Sequence, residues 1–244
     1  MPRNSDLFQY LDSVTKYVIA SGTIGDTTTT EAIVGYTDGT EVAVDVTAIT
    51  NFTAADPAMI IGSGGYELVT LGTPATSMPV TRPLLVPQDS GARMVEAVAI
   101  PLGHIGPEGA SWSPSSSLTA ILAATARSAV SYFPNPAEIA FSIPLRYKDN
   151  LSLQASTGVP ETETGSGVAA TPWAAHAGQT NIATQTPHCY RLRGRTEAGR
   201  ICELDFLGAR LAVNFTDNRG ASGDPGVLSI SGSITGVSQF IWMP

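Results

Sequence analysis

Glu203 and Asp205 alternate onto one face of the apolar run Ile201-Cys202-Glu203-Leu204-Asp205-Phe206. At the rise of a strand that puts their carboxylates about 7 Å apart. Carboxyl pairs at such a separation perform glycoside hydrolysis, one as acid and the other as base or nucleophile. No cleft anchors this pair in the sequence, and acids on a solvated strand face are the commoner case, so a solvated face is expected. A second pair, Glu161 and Glu163, falls in a Gly/Thr/Ala-rich stretch covering 157–186. Such a stretch reads as a long loop or extended arm that takes its order from a neighbour.

Arg191, Arg193, Arg195 and Arg200 are the one concentration of positive charge. On a hairpin the first three share a face by period two, with Arg200 across the turn. Two roles fit them: a charged ribbon that discourages edge pairing, or a subunit-docking patch for an acidic neighbour. With a net charge of −8, other copies of the same chain are such a neighbour.

Other chemistry is thinly represented. Gly62-Ser63-Gly64-Gly65 lacks the Gly-Lys-Ser/Thr ending of a phosphate loop and precedes a strand-like run, so a tight turn is expected. Gly165-Ser166-Gly167 lacks the strand and helix that flank a nucleophilic serine elbow. His104 reads as a loop residue and His188 as the start of a strand. Cys189 and Cys202, with His104, His176 and His188, lack the close four-ligand spacing of a structural zinc site. No catalytic residues, cofactor or metal are assigned, and an enzyme is not expected.

Short apolar runs would have to position these groups. They include Tyr17–Ala20, Ala58–Ile61, Tyr66–Leu71, Leu84–Val86, Met94–Ile100, Ala137–Ile143, Leu151–Ala155, Arg210–Phe215, Val227–Ser231 and Val237–Trp242, many of them flanked by Gly or Pro. Two hairpins are expected. Asp38-Gly39 joins Ala32–Tyr36 to Glu41–Val46, with Val42, Val44 and Val46 on one face. The other joins His188–Leu192 to Ile201–Phe206 through Thr196–Gly199. Pairing Arg195 with Arg200 sets both cysteines on one face about 13 Å apart, beyond the ~7 Å of a disulfide. Free thiols follow.

Two helices are also expected. Leu7, Tyr10, Leu11 and Val14 follow helical spacing, as a helix docked on its own domain or an arm lying on a neighbour. Ser117–Tyr132 has a serine cap, an apolar side and Pro134 as its stop; the β-branched Thr119, Thr125 and Val130 leave a strand reading open. The organisation expected is a 1–16 arm or short helix and a 17–244 β-sandwich domain, with an internal boundary possible near 101–117. The fold class is all-β, a sandwich of jelly-roll type with one or two short helices.

Charged residues are only 14% of the 244, against about 25% in an ordinary soluble domain. Charge is costly to bury, so a chain this poor in it has a bland surface or hides surface against other chains. The balance of 13 Lys+Arg to 21 Asp+Glu, with no basic arm, argues against direct nucleic-acid contact. No apolar run nears the ~20 residues that span a bilayer, and no secretory signal is evident. Membrane association is not expected, and synthesis in a cytoplasm is.

The run Phe141-Ser142-Ile143-Pro144-Leu145-Arg146-Tyr147-Lys148-Asp149-Asn150-Leu151-Ser152-Leu153 resembles β-sandwich proteins of virus particles, bacteriophage ones especially. That resemblance implies a capsid, decoration, spike or tail component located in the virion. Its partners would be copies of itself and other virion proteins. It assigns no site residues. The alternative is a carbohydrate-binding β-sandwich, with Trp112, Trp173 and Trp242 as stacking platforms.

Overall fold

Apolar residues at alternate positions, punctuated by Gly and Pro, build the strands of the described residues. The computed structural model describes residues 8–20, 22–35, 42–105, 109–115, 118–121, 131–134, 138–146, 188–196, 199–214, 227–234 and 238–242. Its strands are β1 Phe8–Ile19, β2 Asp26–Thr28, β3 Ala43–Asp45, β4 Pro57–Gly62, β5 Gly65–Thr70, β6 Ser77–Pro79, β7 Arg93–Ile105 and β8 Ser111–Ser115. There follow β9 Leu118–Ile121, β10 Ser131–Pro134, β11 Glu138–Arg146, β12 His188–Thr196, β13 Ile201–Asn214, β14 Val227–Ile234 and β15 Ser238–Trp242. The all-β class holds.

Among the described residues every strand pairing is antiparallel, and the main sheet bends nearly into a barrel. Its order runs β7-β1-β12-β13-β14-β11, and β11 returns to β7 through Leu145–Ile105 and Arg146–His104 alone. The long strand β7 serves two sheets. Its later half pairs with β1, while Arg93 to Glu96 pair with β4 on one side and Arg93 to Val95 pair with β2 on the other. β4 and β5 form a hairpin turning at Ser63-Gly64, the tight turn expected of that glycine run. A side chain at Gly64 would collide with the Pro87 carbonyl, so the turn needs glycine there.

The β4–β5 hairpin lies between two cores. Ala58, Ile60, Val69 and Leu71 join Val44, Val46, Met78, Leu84 and Met94 in one. Met59 and Leu68 join Tyr17, Val86, Val95, Cys189 and Leu207 in the other, where the hairpin covers the wall of the barrel. Segment 82–88 straps this arrangement together. Buried Glu67 accepts from the amides of Leu85 (2.7 Å) and Val86 (3.2 Å), and Gln88 Oε1 accepts from Gly64 N at 3.0 Å. Backbone groups away from a ladder are thereby satisfied by side chains.

Several expectations change. The helix over Ser117–Tyr132 gives way at its described ends to the antiparallel pair β9 and β10, the reading its β-branched residues left open. The N-terminal helix is instead β1, which crosses the expected 16/17 boundary and sits between β7 and β12. β3 pairs with β6 rather than with the 32–36 run, and Ile33 bridges to Gln88. Val44 and Val46 are buried as expected, whereas Val42 is exposed. Leu84 and Val86 are buried in a connecting segment, not a strand, and 201–206 and 210–214 form one continuous strand. The Asp38-Gly39 turn, the Leu151–Ala155 strand, the 157–186 arm with its glutamates, and Trp173 and His176 lie outside the described residues.

Candidate functional site

The arginine hairpin forms where expected, one residue out of the expected register. Arg195 faces Ile201, Arg193 faces Glu203 and Arg191 faces Asp205. The extra step comes from the turn: Thr196, not Arg195, meets Arg200, its amide donating to the Arg200 carbonyl at 2.8 Å. Alternation puts Arg191, Arg193 and Arg195 on one face together with Glu203 and Asp205.

That face is not solvated. β5 and segment 82–88 lie over it, and Glu203 and Asp205 are 5% and 1% exposed, which corrects the expectation of acids on a wet strand. Arg191 Nε and Nη2 donate to Asp205 Oδ1 and Oδ2 at 2.7 and 2.8 Å. This two-point fork is the strongest geometry an arginine and a carboxylate can adopt. Arg82 Nη2 donates to Glu203 Oε2 at 2.8 Å, and Arg191 Nε lies 3.3 Å from the same oxygen. Arg193, half-exposed, approaches Glu203 Oε1 at 3.8 Å. The Arg191 guanidinium also stands 5.5 Å from the centre of the Tyr17 ring, within cation–π range.

The cluster fixes protonation states. Burial acts to lower the Arg191 pKa, but the hydrogen bonds and charge of Asp205, with Glu203 behind, hold it above its ordinary value. Arg191 is a permanent cation. Burial raises the Tyr17 pKa, assisted by Asp205 and Glu203 and opposed by Arg191, so the phenol stays neutral. The Arg191–Asp205 fork ties β12 to β13 within the barrel wall, and Arg82–Glu203 ties segment 82–88 to that wall.

The four arginines named as a docking patch therefore part company. Arg191 is 8% exposed and engaged within its own chain. Arg193, Arg195 and Arg200 reach the surface around the hairpin end, with Arg195 Nη1 donating to the Gly199 carbonyl at 3.3 Å.

Both cysteines are buried and free, on opposite faces rather than the shared face expected. Cys202 faces Gly194, whereas Cys189 faces Tyr17 and sets its thiol 3.9 Å from Met59 Sδ. The register shift and an irregularity between His188 and Tyr190 account for the change. Burial pushes the Cys189 thiol up to about 12 and raises that of Cys202, so neither is a nucleophile at neutral pH. His104 lies in β7, not a loop, with Nδ1 3.2 Å from the Asp12 carbonyl. His188 begins β12 as expected. Among the described residues no three His, Cys, Asp or Glu side chains gather as a metal site.

Two covered cations, one in β1 and one in the cluster, differ in what the sequence says of them. Lys16, 2% exposed, falls between Val14 and Val18 in a period-two run, which marks it as inward-facing. Arg82, isolated before Pro83, carries no signal; its contact with Glu203 spans 121 positions. No protein-family model matches the chain, and no match was found among curated proteins or solved structures.

Proposed function

We propose that this chain is a structural component of a virus particle, a capsid, decoration, spike or tail protein. It would work through contacts with its own copies and with other virion proteins. The observation that carries this reading is where the few charges go. Of 13 Lys+Arg, Lys16 and Arg191 are buried and Arg82 is largely covered, which leaves the outside still poorer in cations. Val34, Val42, Ile49 and Val98 meanwhile stand exposed. A weakly charged all-β body suits burial against neighbours better than life as a free monomer. The net charge of −8 favours a position away from the genome. Synthesis in the host cytoplasm and incorporation into the virion belong to the same proposal. So does the description of the sheet as a jelly-roll sandwich, which its antiparallel pairing supports.

Native mass measurement of the full chain, with electron microscopy of the product, tests this. A defined oligomer or lattice with self-contacts above about 1,000 Å² is expected. A monomer at micromolar concentration overturns it. Binding on a glycan array without oligomers would favour the carbohydrate-binding alternative.

A further inference from the structure

The chain leaves the larger barrel and returns to it at adjacent points. Ile19, the last residue of β1, faces Ala97 in β7, and Ala20 N donates to the Glu96 carbonyl at 3.1 Å. Between these points the strands close on themselves. The first part of β7 pairs with β2 and with β4, and β4 pairs with β5. Thr29, just past β2, bridges Val46, just past β3, and β3 pairs with β6. Val80, just past β6, bridges Leu71, just past β5. Two backbone bonds extend these seams, Thr30 N to the Asp45 carbonyl at 2.8 Å and Gly72 N to the Pro79 carbonyl at 2.7 Å. The ring β7-β2-β3-β6-β5-β4 is a second barrel.

Every member of its apolar core, from Ile33 to Met94, belongs to the same stretch of chain. Among the described residues no strand ladder joins β2–β6 to β1 or to β8–β15. The two barrels meet where Met59, Leu68 and Val86 pack with Tyr17, Cys189 and Leu207, and through Arg82–Glu203. A closed sheet has no open edge to protect. Its length also suffices, since many domains of about 55–65 residues fold alone. Adjacent entry and exit points suit an insertion, because the host strands stay paired without it. We propose that 22–96 is an inserted barrel that opens as a unit while the larger barrel stays closed. Opening uncovers the strip of β12 and β13 that carries Cys189, Arg191, Glu203 and Asp205, all now buried.

The two cysteines of the chain report on the two barrels separately. Cys189 is fully buried, its thiol 3.9 Å from Met59 Sδ of the insert. Cys202 shares the other face of β13 with Leu204 and Phe206, away from the insert. The test follows iodoacetamide labelling of each thiol in the folded full chain by mass spectrometry, with circular dichroism as the check on folding. Met78, fully buried, belongs to the core of the insert and not to the shared one. Met78→Ala is expected to speed labelling of Cys189 about tenfold or more, because a core truncation raises the open population. Cys202 should stay within about twofold, the tolerance for sites that do not couple. In the wild type, urea too dilute to unfold the whole chain should speed Cys189 ahead of Cys202. That arm decides the matter if Met78→Ala does not fold. Two thiols accelerated alike make the chain one cooperative unit and overturn the proposal. So does a Cys189 rate that neither treatment moves.

Discussion

The two faces of the β4–β5 hairpin are held in different ways. One face, with Ala58, Ile60, Val69 and Leu71, meets an entirely apolar core. The other meets the barrel wall, where Met59 and Leu68 pack near Tyr17 and Cys189, and the adjoining wall carries Arg191, Asp205 and Glu203, the last reached by Arg82 of segment 82–88. Apolar contacts are non-directional and tolerate small shifts in position. Buried ions tolerate none: each must keep its partner, because the penalty for a lone charge exceeds what pairing returns. The apolar contacts supply cohesion to this layer, while the ions lock β12 to β13 and, through Arg82–Glu203, fix where segment 82–88 meets the barrel.

Removing one member of the charged face breaks this contrast most sharply. Asp205→Ala would leave Arg191 buried without its fork, and a loss of about 3–5 kcal/mol is expected in urea unfolding. Arg191→Met/Asp205→Leu should recover most of that loss, since a well-packed apolar pair often equals a buried ion pair. A single variant within 1 kcal/mol of wild type would show the ions to be incidental.

Alkali comes next in size and also strikes the barrel-facing side. The Cys189 thiol, ordinarily near 9, is pushed up to about 12 by burial, and Tyr17 is raised from 10.0. A raised folded-state value gives stability that is complete below the unfolded value and lost as pH rises through the folded one. Melting temperature should hold to about pH 9 and then fall toward 12, and Cys189→Ala should flatten that fall. An unchanged slope in the variant would remove Cys189 from the account.

The smallest effect belongs to the apolar face. Ile60→Val is expected to cost about 0.5–1.5 kcal/mol, the usual result of trimming one methylene from a packed core. A cost as large as that of Asp205→Ala would erase the distinction between the faces.

Local features were legible in the sequence and distant ones were not. The arginine hairpin, its turn and the shared face of Arg191 and Arg193 follow from alternation. The register slipped by one because nothing local decides whether Arg195 or Thr196 closes onto Arg200. The N-terminal strand reads as a helix for a physical reason. β1 carries extra residues between Phe8 and Tyr10 and between Leu11 and Ser13 relative to β12. Such bulges break period-two alternation, and the spacing of Leu7, Tyr10, Leu11 and Val14 then imitates a helical face. The burial of Glu203 was hidden for another reason. What covers it is Arg82, brought there by the tertiary fold, and strand periodicity says which residues share a face without saying what lies above it.

The place of β1 in the sheet also sets a clock on the ribosome. Tyr17 pairs with Cys189, about 170 residues later in the chain. At about 5–20 residues per second, roughly ten to thirty seconds pass between the synthesis of these two partners. The layers around β4 and β5 draw on nearby sequence and can form in that interval, whereas the barrel wall waits for β12. Until then one flank of β1 is an open edge, the kind of surface that pairs with the wrong chain. Nascent chains crowded on one message would be most vulnerable to one another in that interval.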